Sequence, residues 1–161
     1  MRKLIVTGHS HYGKPTRLTL KFDDRRNLLN HRAVAASSMI GWGEWQQSEK
    51  VSSHWGDCWW VSTAGHGGYI LVTSVKGTPF KEPVLSVDHV FGTVYVYEFE
   101  EDCDWAILEY HDALVRQHAL KRHNDRRIEL GKPAYSGADY LTDIVIPCLR
   151  QWNAWVLPET A

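Results

Sequence analysis

The chain has 161 residues and a mass of 18.5 kDa, of which 43% are hydrophobic and 23% charged. That is one domain of ordinary size with enough apolar area for a core, which excludes wholesale disorder and a two-domain arrangement. A formal net charge of -1, with a pI near 6.7, removes global attraction to DNA, RNA or anionic lipid as an argument. Direct nucleic-acid binding is therefore not expected.

No apolar run reaches the length of a membrane helix, and the start MRKLIVTGHSH lacks a secretory h-region, so a cytoplasmic location is expected. The three cysteines, Cys58, Cys103 and Cys148, are odd in number and widely spaced, which fits reduced thiols better than a disulfide framework. Charge is segregated along the chain. Met1 to Arg32 holds eight Lys or Arg, Glu98 to Asp112 holds seven carboxylates and no Lys or Arg, and Arg116 to Lys132 is basic again.

In chain order, Lys3 to Thr7 and the alternating Arg17 to Phe22 predict two strands joined as a hairpin around HSHYGKP. Arg26 to Met39 reads as a helix. Two runs rich in β-branched and aromatic residues, Trp59 to Thr63 and Tyr69 to Thr73, flank AGHGG and predict a second hairpin whose glycines supply a positive φ. Gly77 to Pro83 reads as loop, Val94 to Phe99 as strand, and Asp104 onward as a helix with Asp102 or Asp104 as its cap. A last helix is expected over Gly137 to Trp155, interrupted at Pro147, with Ile144, Ile146, Leu149, Trp152 and Trp155 as its buried or partner-facing set. The pattern is α+β: a single domain over 1–161 with an antiparallel sheet, a central β-hairpin, and two or three covering helices.

Several strings invite chemistry. Gly8 to Thr16, GHSHYGKPT, has the G-x-x-x-x-G-K core of a phosphate loop. Pro15 stands where the magnesium-binding hydroxyl belongs, however, and RLTLKF continues as a strand, so nucleotide binding is not expected there. His9 and His11 form an H-x-H best read as turn histidines. His111 and His118 are too far apart along a helix for one zinc. No metal or cofactor is assigned.

The densest constellation is Trp42-Gly43-Glu44-Trp45-Gln46, then Thr63-Ala64-Gly65-His66-Gly67-Gly68, then Phe99-Glu100-Glu101-Asp102-Cys103-Asp104-Trp105. These blocks resemble an uncharacterised domain of phage, plasmid and other mobile-element proteins, marked by W-G-x-x-Q, V-S-T-x-x-H-G-G and an aromatic residue before E-E-D-C-[DE]-W. The resemblance covers about 41–110, with Gly41 where a proline is usual, and leaves a basic segment (1–40) and a helical region (111–161) outside it. It implies an accessory protein in a bacterial host's cytoplasm that binds a basic host or defence protein, including a nucleic-acid-binding complex, as a counter-defence inhibitor. On this reading Glu98, Glu100, Glu101 and Asp104 form an acidic surface with Trp42 and Trp45 as anchors. The alternative is a small enzyme with Cys103 as nucleophile, His66 as base and Asp102 or Glu101 as orienter. A variant of it has His66 and the Glu100 to Asp102 carboxylates holding a hard divalent cation. A third reading is structural: the acids cap the helix and fix the hairpin to it.

Overall fold

The computed structural model describes residues 1–10, 15–37, 42–77 and 81–158. Seven strands run in chain order: β1 (Arg2–Ser10), β2 (Pro15–Phe22), β3 (Gln47–Val51), β4 (Asp57–Ser62), β5 (Gly67–Thr73), β6 (Leu85–His89) and β7 (Gly92–Glu100). They form one antiparallel sheet in the order β2-β1-β6-β7-β5-β4-β3. Each predicted hairpin is present as an antiparallel pair. The connection between β1 and β2, including His11 of the H-x-H pair, lies outside the described residues.

The α+β reading therefore holds. All residues of β5 are buried, because its two faces serve two different cores. Ile70 and Val72 join Trp59, Val61, Val94 and Val96 on the side of α1 (His31–Ser37), while Tyr69 and Leu71 join Tyr97 and Phe99 on the other. That second core is closed by α2 (Trp105–His111), α3 (Ala113–Glu129), α4 (Gly137–Tyr140) and α5 (Ile146–Trp152). Alternation along a strand sends successive side chains to opposite faces, so a strand buried on both reads as a continuous apolar run.

Three local readings differ from the structure. The helix expected from Arg26 begins at His31, because residues 23–30 form a turn. There the Asp23 carboxylate accepts from Arg25 N and Asn27 N, and Arg26 sits at φ 66°. Asn30 is used up bridging to β2, accepting from Lys21 N and donating to Thr19 O. The far end of that expected helix, 38–41, lies outside the described residues.

The helix from Asp104 is two helices, broken at Asp112, whose extended backbone lets its carboxylate accept from Leu114 N and Val115 N and cap α3. Asp104 occupies the N-cap position of α2 but makes no cap bond with its side chain. The C-terminal helix is not cut at Pro147. A π-turn over Leu141–Val145 lies between α4 and α5, just ahead of the residue that lacks an N–H donor. Of its expected buried set Leu149 is buried, whereas Trp152 and Trp155 are 57% and 63% exposed. No helix among the described residues is long and apolar enough to cross a membrane.

Candidate functional site

The three sequence blocks meet at the β4–β5 turn. Thr63 N and Thr63 Oγ1 both donate to His66 O, at 2.8 and 3.1 Å, and Thr63 Oγ1 accepts from His66 N. This closes a tight turn and gives the T-x-x-H spacing a mechanical reason. Gly68 follows at φ 143°, where an added Cβ would stand 2.0 Å from Phe99 O of the neighbouring strand. Only glycine fits there. Trp42, buried at 9% exposure, packs against Gly68 and stacks on the His66 ring at 6.4 Å between centroids.

His66 Nδ1 donates to Glu100 Oε1 at 3.0 Å, so the first and second glutamates of the E-E-D string have different fates. Glu100 faces the imidazole, and Glu101, exposed, lies over Gly67. The backbone then turns, with Cys103 N and Asp104 N both donating to Glu100 O, and enters α2. The expected proximity of His66 to the acidic segment is thus a direct hydrogen bond.

The catalytic grouping is less well served. No hydrogen bond joins His66 to Cys103 among the described residues. The Cys103 thiol is pushed up to about 11, first by burial and then by the charge of Asp104, so it is protonated at neutral pH. Its carbonyl accepts from Asn153 Nδ2 at 2.7 Å, a structural tie. Asp102 is exposed and makes no bond that would orient His66. Among the described residues no group of three or more His, Cys, Asp or Glu is placed to hold a metal ion, so the cation reading lacks a ligand set.

The acidic surface is much smaller than the acidic sequence. Glu98, Glu109 and Asp112 are buried, at 9%, 1% and 0% exposure. Asp104 is paired with Lys81 Nζ at 2.8 Å, and that ammonium also donates to Glu98 O and lies over the Phe99 ring. With Glu100 on His66, the exposed carboxylates of the 98–112 block without a cation partner among the described residues are Glu101 and Asp102. Trp42 is buried, and Trp45 is partly buried beneath the Arg32 guanidinium, 5.3 Å from its ring. Neither is free to anchor a partner, whereas Trp152 and Trp155 are exposed.

A buried polar cluster beneath this surface escaped the sequence reading. Tyr69 Oη donates to Glu109 Oε1 at 2.6 Å and Tyr140 Oη to Glu109 Oε2 at 3.0 Å. Burial pushes Glu109 up to about 7 against these two bonds, and burial together with the nearby carboxylate raises both tyrosines. Arg122 lies 4.0 Å over the Trp60 ring nearby. An open cavity of about 370 Å³ runs from Glu109 and Tyr140 past Trp60 and Trp105 to a rim carrying Glu101 and Asp102. The available signal was a glutamate inside the apolar run WAILEYH, but its tyrosine partners lie 40 and 31 residues away.

No family model matches this chain, and neither a curated protein nor a solved structure does.

Proposed function

We propose that the protein is a binding module that engages a basic macromolecule through the face carrying Glu101 and Asp102. The resemblance to mobile-element proteins sets the biological frame: an accessory protein of a phage or plasmid whose target is a basic host or defence protein. One observation carries the reading. Two exposed carboxylates without a cation partner among the described residues share the rim of one cavity with Trp60 and Trp105. Arg122 and His123 line the inner part of the same cavity and Arg122 covers the Trp60 ring, so a Lys or Arg side chain docking at the rim would meet the Trp105 ring and the two carboxylates, an arrangement that holds cations at protein interfaces.

The Asn153 bond to Cys103 O sets this turn against the segment bearing Trp152 and Trp155, the residue type most enriched at energetic hot spots. The enzyme reading is the weaker one, because the thiol it requires is held protonated and has no bond to the imidazole.

The test is binding of an arginine-rich nonapeptide, together with capture from bacterial lysate, at low salt and at roughly 0.5 M salt. Salt-sensitive binding that falls at least tenfold in Glu101→Lys/Asp102→Lys supports the proposal. Binding unchanged in that double variant, or no binding alongside thiol-dependent turnover of a small substrate that Cys103→Ala abolishes, overturns it.

A further inference from the structure

A second cavity lies on the other side of the sheet and belongs to none of the motifs above. It is an open pocket of about 500 Å³ at the end of the α1 face, between the 22–31 segment, the 55–57 turn, the end of β5 and the β6–β7 turn. Its size is that of pockets that hold small molecules.

Its wall is aromatic. Phe22 and Phe91 meet edge to face at 5.2 Å, His89 sits 5.0 Å from Phe22, and Trp55 closes the opposite side. Two of its polar side chains present donors, beside the amide and hydroxyl oxygens of Asn27, Ser74 and Thr93. The Arg26 guanidinium lies 5.1 Å over the Phe91 ring, and none of the ion pairs among the described residues uses it. His89 Nδ1 accepts from Phe91 N at 3.2 Å, which requires that ring nitrogen to be unprotonated and places the proton on Nε2, a donor.

His31 Nδ1 donates to Asp57 Oδ2 at 3.0 Å, and Asp57 Oδ1 takes Lys50 Nζ at 3.2 Å. Asp57 is the single carboxylate among the residues lining the pocket, and both its oxygens are occupied. The backbone builds this corner closely. A Cβ on Gly56 would lie 2.3 Å from Val72 O, so the glycine lets the chain run against β5 and sets Asp57 where α1 begins.

From this geometry we infer that the pocket binds a small aromatic anion, a planar ring joined to a phosphate or carboxylate, with the ring against Phe91, which the buried Phe22 backs, and the anion at Arg26 and His89. The exposed Arg26 guanidinium and the His89 donor favour an anion, and the partly exposed Phe91 ring favours a planar group beside it. This inference is independent of the Glu101–Asp102 face, which is acidic and lies on the opposite side of the sheet.

Calorimetric titration with AMP and with indole-3-acetate, and with adenosine and inorganic phosphate as controls, tests it. The ring-plus-anion probes are expected to bind saturably at one site, with adenosine and phosphate each at least tenfold weaker. Which of the two binds more tightly distinguishes a phosphate ligand from a carboxylate one. Arg26→Gln, at an exposed position, is expected to keep the unfolding transition and to weaken binding at least tenfold. Phe91→Ala provides a second variant that removes the ring contact and leaves the cation. Shifts of the Trp55 indole and the His31 and His89 ring resonances on titration place the ligand. Absence of saturable binding by both anions, adenosine binding as well as AMP, or parental affinity in both variants overturns the inference.

Discussion

The two sides of the sheet are built from the same strands and treat charge in opposite ways. Under α2 to α5 the carboxylates are turned inward and matched: Asp112 accepts from Ser53 Oγ, His54 N, Leu114 N and Val115 N, and Glu109 accepts from two tyrosines. On the side of α1 the described residues supply one helix of seven residues, and the pocket there leaves Arg26 exposed and Phe91 partly exposed. A layer complete enough to exclude water forces every polar group it covers to find a partner. A partial layer does not. Charge counted along the chain therefore says little about charge at the surface, as the shrinkage of the acidic block to Glu101 and Asp102 shows.

The contrast can be broken first at Asp112. Removing its carboxylate with Asp112→Ala strands four donors inside the covered layer and uncaps α3, a loss of about 4 kcal/mol by the usual cost of unsatisfied buried groups, measured by urea unfolding. A loss below about 1 kcal/mol would mean that the buried network is not what holds this layer. At the hairpin, Gly68→Ala must move the Phe99 carbonyl and adopt a positive φ, and is expected to cost about 3 kcal/mol in the same assay, with Gly65→Ala as a near-neutral control.

Glu109 sharpens the contrast through pH. Its folded value of about 7 lies above the ordinary 4.5, so between these values the folded state keeps a proton that the unfolded chain has released. Stability is therefore higher below pH 4.5 and declines as pH rises through 7, by about 3 kcal/mol for a shift of this size. The partly buried histidines His31, His89, His111 and His123 run the other way, since desolvation lowers them and their contribution is lost as pH falls below 6.5. Glu109→Gln keeps the neutral form's shape, removes the first slope and keeps the second, so unfolding curves of the two proteins from pH 4.5 to 7.5 should lie together at the acid end and separate toward the alkaline end, where the parent is the less stable.

Smaller effects are expected where groups meet water. His66→Ala loses one partly exposed hydrogen bond and a ring stack on Trp42, about 1 kcal/mol in melting experiments. Glu101→Lys/Asp102→Lys touches no partner and should leave stability within about 0.5 kcal/mol, so that any loss of binding in the double variant is a loss of recognition.

Much of the fold was legible because it is carried by local period. The strands at Lys3 to Thr7, Arg17 to Phe22, Trp59 to Thr63, Tyr69 to Thr73 and Val94 to Phe99 all lie in observed strands or within a residue of their ends, since alternation and β-branched runs report half-buried and fully buried strands directly. β3 was missed because it is an edge strand whose QSEK positions face water and only Val51 is buried, and β6 because five residues are too few to show a period. The turn chemistry of Thr63 to Gly68 and its nearness to Glu100 were also readable. Glycines at a reversal and an acid-rich string at a helix start each have a small set of uses.

What the amino-acid sequence determined by itself was therefore the α+β class, the 57–73 hairpin and the demand for glycine at its turn, all of which arise from neighbours within a few residues. Only the tertiary structure decided which carboxylates reach solvent, which tryptophans are exposed and which are core, and that Tyr69 and Tyr140 both hydrogen-bond Glu109 while Arg26, His31 and His89 share a pocket. Those outcomes depend on burial and on partners tens of residues apart. Desolvation acts on a side chain through the layer that covers it, and no local pattern in the chain records how complete that layer is.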